Sequence, residues 1–188
     1  MKSIVLSILL FSVAVLVASS NRIWAKQKQR NDAVCSITQV YILKSDLMED
    51  EFDYAGVRSA LEDYTWLKIA EWAVPMPKDV PPGTGAVQLT KFGSMRYEST
   101  SSSSGNVAWG ESGNHIVYEL TLMDAKGNVL WTGRDGRELE GVKSTASVYG
   151  AEAHEVHASP DDAAERLAWR LNREARCGNQ PKYKKLSQ

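Results

Sequence analysis

The chain contains few residues of the kinds from which reactive sites are built. Two cysteines and three histidines occur among 188 residues, and the formal net charge is −1 at pH 7. There is no Gly-x-Ser-x-Gly elbow, phosphate-binding glycine loop or dinucleotide fingerprint. Nor does the composition show the excess of positive charge that is typical of nucleic-acid-binding proteins. These absences predict a protein that is not an enzyme, uses no cofactor and binds no nucleic acid.

The most distinctive segment is the N-terminal one. Lys2 precedes an apolar run over residues 4–18, and small residues at 18–20 occupy the positions that a signal peptidase reads. Residues 1–20 are therefore predicted to be a secretory signal peptide, and the protein is predicted to work in the periplasm or cell envelope of a bacterium. N-glycosylation sequons are absent, so nothing favours a eukaryotic secretory route.

An uncleaved membrane anchor is the alternative interpretation of this segment. A spanning helix needs about 20 apolar residues, which is more than the run offers. Four basic residues between 22 and 30 are unfavourable for export in either interpretation. Lipid attachment at Cys35 is not expected, because Asp32 to Val34 do not form a lipidation box. Membrane contact is therefore expected only through the N-terminal segment, if that segment stays uncleaved.

The two cysteines, Cys35 and Cys177, are predicted to form a disulfide. An even number of cysteines in an exported chain favours pairing. This pair would join the first predicted strand to the end of the last predicted helix, and closing so long a loop stabilises a fold by up to about 5 kcal/mol. Two free thiols are the alternative in a reducing compartment.

The rest of the chain is predicted to form one domain over residues 34–177. Residues 21–33 are polar and mixed in charge, which is typical of a linker, and residues 178–188 form a basic tail that is expected to be disordered. Within the domain, the serine-rich stretch 99–106 has no apolar residue and is predicted to be a mobile loop.

Hydrophobic periodicity and local breakers predict the secondary structure. The clearest patterns are strands at 34–44, 86–97 and 115–124, a strand that returns from 129, and helices over 53–63 and from 160. Residues 65–74 fit either a strand or a continued helix, and 141–158 fit no single pattern.

One pair of strands carries a specific turn signal. Tyr118, Leu120 and Leu122 fall on one face of a strand that turns at 125–128. Gly127 can adopt a positive φ in this turn, so a β-hairpin is expected.

The last predicted helix carries a complete start signal. Ser159 can cap it and Pro160 occupies its first position. Its apolar stripe includes Leu167 and Leu171. The arginines lie on the other side of the helix; they are Arg166, Arg170 and Arg173.

Four stretches of the chain resemble small bacterial envelope domains. They read ALEDY, AVQLT, YELTLMDAKGNVLWTG and DDAAERLAWRLNREA. The third combines an aliphatic strand, an Asp-to-Gly turn and a strand with tryptophan, at Leu120, Leu122, Asp124, Gly127, Val129 and Trp131. The pattern is similar to that of the lipoprotein activators of penicillin-binding proteins, the curli secretion channel protein and the N-terminal domain of the Tol-system propeller protein. The resemblance implies a non-enzymatic domain that docks onto other envelope components, and it names no catalytic residues.

Together these patterns predict a single α+β domain, in which an antiparallel or mixed sheet of four to five strands carries two helices packed on one face. The predicted function is that of a non-catalytic exported protein that binds or assembles other envelope proteins. One alternative is a periplasmic metal-binding protein. Another is an enzyme whose site the sequence does not reveal, and a deep pocket lined by His115 and several carboxylates would support it.

Tryptophans near predicted strands and on the last helix form a candidate partner surface, since exposed aromatic residues favour protein or glycan contacts. They are Trp66, Trp72, Trp109 and Trp169. The alternative, which we favour, is that most of them fill the core.

One polar cluster has the side chains of a metal site. It contains Glu152, His154, Glu155 and His157. Two imidazoles three residues apart could share a helix face and bind zinc or copper. The spacing lacks a third strong ligand, so we favour a solvated polar segment and expect no metal.

Overall fold

The computed structural model describes residues 31–45, 54–102, 107–147 and 149–177. The predicted signal peptide, most of the predicted linker and the predicted tail lie outside the described residues. Within the described part of the chain, no helix has both the length and the apolar character needed to cross a membrane.

The described residues form three helices and six strands. In chain order these are α1 (Asp32–Cys35), β1 (Gln39–Leu43), α2 (Tyr54–Tyr64), β2 (Lys68–Val74), β3 (Thr84–Ser102), β4 (Val107–Asp124), β5 (Val129–Ser147), β6 (Gly150–Val156) and α3 (Pro160–Ala175). Strands account for 56% of this structure and helices for about 23%.

All six strands belong to one mixed sheet, in the spatial order β2-β1-β3-β4-β5-β6. β1 pairs parallel with both β2 and β3. The pairs β3–β4, β4–β5 and β5–β6 are antiparallel. The sheet curls into a half-barrel. The connection from β1 to β2 contains α2, as a parallel pair requires a crossover.

The predicted fold of four to five strands with two helices on one face is wrong. Polar stretches of the chain that have no apolar periodicity also form strands. β3 continues to Ser102, so 99–102 of the predicted mobile loop are paired with β4. β5 continues to Ser147, and Gly150–Val156 adds a sixth strand. A ladder satisfies the backbone of each polar strand without any apolar face to bury. The remainder of the predicted loop, 103–106, lies outside the described residues.

The first predicted strand is also shorter than expected. Asn31 caps a single helical turn, since its side chain accepts a hydrogen bond from the Val34 amide at 3.2 Å. Cys35 ends that turn, and β1 begins only at Gln39. The ambiguous stretch 65–74 contains a strand, β2.

Apolar side chains from α2, α3 and the adjoining part of the sheet form the core. α2 packs against α3 and β2, and α3 packs against β4 and β5. The central residues are at most 1% exposed; they are Val57, Leu61, Tyr118, Leu120, Leu122, Leu167 and Leu171. The predicted apolar stripe of the last helix is therefore confirmed.

The predicted disulfide joins Cys35 and Cys177, whose Cα atoms lie 5.0 Å apart. Cys35 ends α1 and Cys177 follows α3, so the bond links a helical turn before the first strand to the end of the last helix. Beside it, the Asn31 amide donates to the Ala175 carbonyl at 3.2 Å. The two ends of the described fold are therefore fastened to each other.

Beyond the helices the sheet continues as an extension that we call the arm, formed by residues 93–102, 107–115, 137–147 and 150–156. Among these residues only Leu139 is buried. The ladder is irregular at the base of the arm, between Lys91 and Gly93 on β3 and between Ile116 and Tyr118 on β4. Most side chains of the arm therefore face solvent.

Candidate functional site

The arginines of α3 form a second stripe beside its apolar one. The helix starts as predicted, with the Ser159 side chain accepting from the Asp162 amide at 3.2 Å. Arg166, Arg170 and Arg173 follow at spacings of four and three, which places them on one face. The expectation that they lie away from the fold is wrong for Arg166, because its side chain is only 19% exposed and turned toward β5.

A bulge in β5 places two carboxylates opposite this arginine stripe. Tyr118 of β4 pairs with Asp135, whereas Ile116 pairs with Glu138, so β5 has one residue more than β4 over this stretch. An extra residue shifts the alternation of a strand. Asp135 and Glu138 therefore face α3 together although they are three residues apart.

Arg166 bonds to both carboxylates. One Nη atom lies 2.7 Å from an Oδ of Asp135 and also contacts Glu138, and its Nε donates to Asp135 at 2.9 Å. The second oxygen of Glu138 accepts the Ser159 amide at 3.0 Å. Burial by itself would lower the pKa of Arg166, but the hydrogen bonds to Asp135 and Glu138 outweigh it and raise that pKa. Arg166 is thus a fixed positive charge that ties α3 to β5.

A second link joins the other end of α3 to the sheet. Trp131 donates its indole N–H to Glu174 at 2.9 Å, and Arg170 donates Nε to the other oxygen of Glu174 at 2.8 Å. Burial would raise the pKa of Glu174, but hydrogen bonds from Arg170 and Trp131, and then the charges of Arg170 and Arg173, lower it overall. Glu174 therefore holds the Arg170 guanidinium in place.

Between these two links lies a cavity of about 300 Å³, which we call the arginine pocket. Its lining consists of Arg134, Asp135, Arg137, Arg166, Leu167, Trp169, Arg170 and Arg173. Arg134 faces the other side of the sheet, where it pairs with Glu119 at 2.5 Å and stacks 3.4 Å from the Phe92 ring centre. Its backbone carbonyl accepts from Arg170 at 3.3 Å. The Arg134 guanidinium is therefore not part of the pocket. The pocket is defined by the Trp169 indole and by the guanidinium groups of Arg137, Arg166, Arg170 and Arg173.

Two arginines of the pocket, Arg137 and Arg173, are held by fewer polar contacts than Arg166 and Arg170. Arg173 lies with its guanidinium carbon 4.5 Å from the Trp169 ring centre, a cation–π contact. No salt bridge joins Arg173 to a carboxylate within the described part of the chain. Arg137 pairs with Asp135 at 3.3 Å while its side chain stays 77% exposed. These two arginines can turn toward an incoming anion.

The sequence contains one signal for this pocket. Arginines at 166, 170 and 173 with Trp169 between them form a periodic pattern, which by itself is also typical of a solvent-exposed helix face. The contact of Glu138 with Arg166 depends on the β5 bulge, which no local pattern reveals.

The four candidate tryptophans lie on separate parts of the fold. Trp66 is half-buried and donates its indole N–H to the Ile37 carbonyl at 2.7 Å, so its polar atom has a structural role. Trp169 lines the arginine pocket. Trp72 on β2 is 40% exposed and Trp109 in the arm is 47% exposed. Trp169 is the member of the set that adjoins a cavity with convergent polar groups.

The histidine and glutamate cluster belongs to a strand edge. Glu152, His154 and Glu155 lie in β6, and His157 follows it. The premise of a shared helix face is wrong, because alternate residues of a strand share a face. Glu152 and His154 are therefore on one face and Glu155 on the other, all exposed. Among the described residues, no group of three or more histidine, cysteine, aspartate or glutamate side chains is arranged to hold a metal ion.

His115 lies apart from the arginine pocket. Its neighbour Ile116 faces the helices, so His115 faces the opposite side of the sheet. There its Nδ1 lies 2.9 Å from the Gly136 carbonyl oxygen, and its ring meets Tyr97 edge-on with centres 4.2 Å apart. These contacts join His115 to a backbone carbonyl and an aromatic ring, and they do not form the pocket of His115 and carboxylates that would support an enzyme.

Comparison with known proteins gives a distant likeness among solved structures. No family model matches the chain, and no curated protein matches it. Among solved structures, the chain is similar to a minor lipoprotein from Acinetobacter baumannii, with 11% sequence identity over 79% of this chain and 98% of the lipoprotein, and a TM-score of 0.33. A likeness of this degree identifies no function.

Proposed function

We propose that the protein is an exported, non-catalytic binding module of the bacterial cell envelope, and that it holds a carboxylate or phosphate group of its partner in the arginine pocket. The observation that carries this proposal is the convergence of four guanidinium groups and the Trp169 indole on one cavity of about 300 Å³. The N-terminal sequence pattern and the Cys35–Cys177 disulfide support an oxidising compartment.

The charges around the pocket favour an anion. Four arginines (137, 166, 170 and 173) meet three carboxylates, those of Asp135, Glu138 and Glu174, which leaves one positive charge uncompensated among these groups. A guanidinium presents a planar fork that fits a carboxylate or a phosphate. The salt bridges of Arg166 and Arg170 hold two of the forks in place, so less side-chain entropy is lost on binding.

The size and lining of the pocket limit what enters it. A volume of about 300 Å³ is at the lower end of ligand-binding cavities, so the pocket admits one side chain or head group. Trp169 and Leu167 supply an apolar wall next to the guanidinium groups. An anionic group carried on a short apolar stem therefore matches the pocket.

Calorimetric titration at constant ionic strength tests the proposal, with inorganic phosphate and tetraglutamate as separate probes. At least one probe should bind, and Arg173→Ala should weaken it about tenfold, as expected for loss of a charge-assisted hydrogen bond. Arg58→Ala is the matched control, because Arg58 lies on α2 in an exposed pair with Glu62. Absence of binding by both probes, or an equal loss in the control, would refute the proposal.

Export is tested separately by mass spectrometry of the native protein. A mature chain that begins at Asn21 is expected for a cleaved signal peptide. An intact Met1 in the membrane fraction would indicate the anchor instead. Recovery of the full-length protein from the cytosol with both thiols reduced would contradict the envelope assignment.

A further inference from the structure

β6 is an open edge of the sheet. It pairs with β5 on one side and stands last in the strand order, so within the described part of the chain its other side has no partner strand. All of its residues except Val156 are exposed. An unpaired strand edge presents alternating N–H and C=O groups that another strand can extend.

We propose that a second copy of this chain occupies this edge, through antiparallel β6–β6 pairing about a two-fold axis at Ala153. Alternate residues of an edge strand direct their N–H and C=O groups outward. A residue that directs these groups outward can lie opposite only a residue of the other copy that does the same. Because such residues alternate along the strand and are the same in both copies, the numbers of two opposite residues have an even sum. The axis then passes through a residue, and only an axis at Ala153 pairs the whole of Gly150–Val156.

This register also places a carboxylate opposite an imidazole. It places Glu152 opposite the partner's His154, and by symmetry it does so twice. Directly opposed side chains on one sheet face interact, and an imidazole N–H can donate a hydrogen bond to the facing carboxylate. Glu155 falls opposite the partner's Ala151, so no like charges meet. An axis at Glu152 or at His154 would instead place that residue opposite its own copy.

The contacts within one copy leave Glu152 available for this role. Across the β5–β6 ladder Glu152 faces Thr145, and no salt bridge of Glu152 occurs among the described residues. His154 faces Lys143, whose ammonium group pairs with Glu111 at 3.2 Å. Among the residues that the structure describes, no cation pairs with the Glu152 carboxylate, and the second copy supplies the His154 imidazole as its partner.

Edge charges can also protect a monomer from pairing, and the two roles predict opposite results. If Glu152 holds the dimer, Glu152→Gln weakens association. If Glu152 prevents pairing, the same substitution strengthens it. Sedimentation equilibrium of the disulfide-bonded protein over a range of concentrations measures the difference.

A charge exchange sharpens the test. Glu152→Lys and His154→Glu should each raise the dimer dissociation constant about tenfold, because each acts at two symmetric contacts. The double variant Glu152→His with His154→Glu should restore dimerisation. Glu155→Lys is the control and should have little effect. Oxidative cross-linking of Ala153→Cys should trap the dimer, whereas Ser101→Cys elsewhere in the arm should not.

Several outcomes would overturn the proposal. They are a protein that stays monomeric at millimolar concentration, a dimer that is indifferent to the charge exchange, and Ala153→Cys cross-linking no faster than that of Ser101→Cys. None of them bears on the arginine pocket.

Discussion

The covered part of the sheet and the arm are built from the same strands but differ in what their side chains do. In β4, the residues Ile116, Tyr118, Leu120 and Leu122 are at most 2% exposed and alternate with half-exposed ones. In the same strand, residues 107–114 include none that is buried. The backbone ladder is therefore sufficient to continue a strand beyond its core. The apolar burial that stabilises the fold is concentrated under the helices, whereas the arm exposes most of its side chains to solvent.

Truncation of a buried leucine should give the largest contrast between the two parts. Leu171→Ala is expected to cost about 2–5 kcal/mol of unfolding free energy, because Leu171 is fully buried and its loss leaves a cavity. Thr145→Ala, in the arm, should change stability by less than about 0.5 kcal/mol. Denaturant unfolding measures both, and similar losses would show that the arm is as important as the core.

Removal of the disulfide should affect the covered part next. The paired change Cys35→Ala with Cys177→Ala is expected to cost about 2–4 kcal/mol, since the bond spans 142 positions and restricts the unfolded chain. The wild-type protein in reductant should match this variant. Non-reducing peptide mapping should recover the two cysteines joined, and alkylation of both thiols without reductant would contradict the bond.

Loss of the arginine that ties α3 to β5 should have a smaller effect. Arg166→Ala removes the guanidinium that Asp135 and Glu138 share near the base of the arm and leaves them only Arg137 and the Ser159 amide, so a cost of about 1–3 kcal/mol is expected. Arg58→Ala removes an exposed pair of the same charge and should cost no more than about 0.5 kcal/mol. Equal thermal shifts in the two variants would show that Arg166 is not a structural link.

The smallest expected effect is a change in the acid limb of the stability curve. The pKa of Glu174 is lower in the folded state than its ordinary value of 4.5. Its contribution is therefore fully present above that ordinary value and is lost as the pH falls through the folded-state pKa. Glu174→Gln should flatten this limb by under about 1 kcal/mol. Glu62→Gln, in an exposed pair, is the control, and an unchanged limb in Glu174→Gln would contradict the role of Glu174.

Features set by a few adjacent residues could be predicted from the sequence. The turn after Asp124 is one, because Asp124 accepts hydrogen bonds from the Lys126 and Asn128 amides at 2.8 and 2.9 Å. Gly127 takes the expected positive φ of 83°. The hydrogen bonds from Asn128 also lower the pKa of Asp124. The Ser159 cap of α3 is a second such feature.

Features set by distant partners could not be predicted in the same way. The strand at 99–102 depends on pairing with β4, since a serine-rich sequence has no periodicity of its own. The arginine pocket depends on a contact between Asp135 and Arg166 across 31 positions and on a bulge that turns Glu138 toward it. Neither dependence is visible in a local window.

The fastening of the two ends has a mechanical consequence. The chain enters the described fold at Asn31 and leaves it at Cys177, and these points adjoin because the Asn31 amide contacts Ala175 and the disulfide lies beside it. Tension applied between the preceding and following segments would pass through the sulfur–sulfur bond. The residues between the two cysteines, which include the whole sheet and the arm, would then carry no tension and would keep their fold while the chain is pulled.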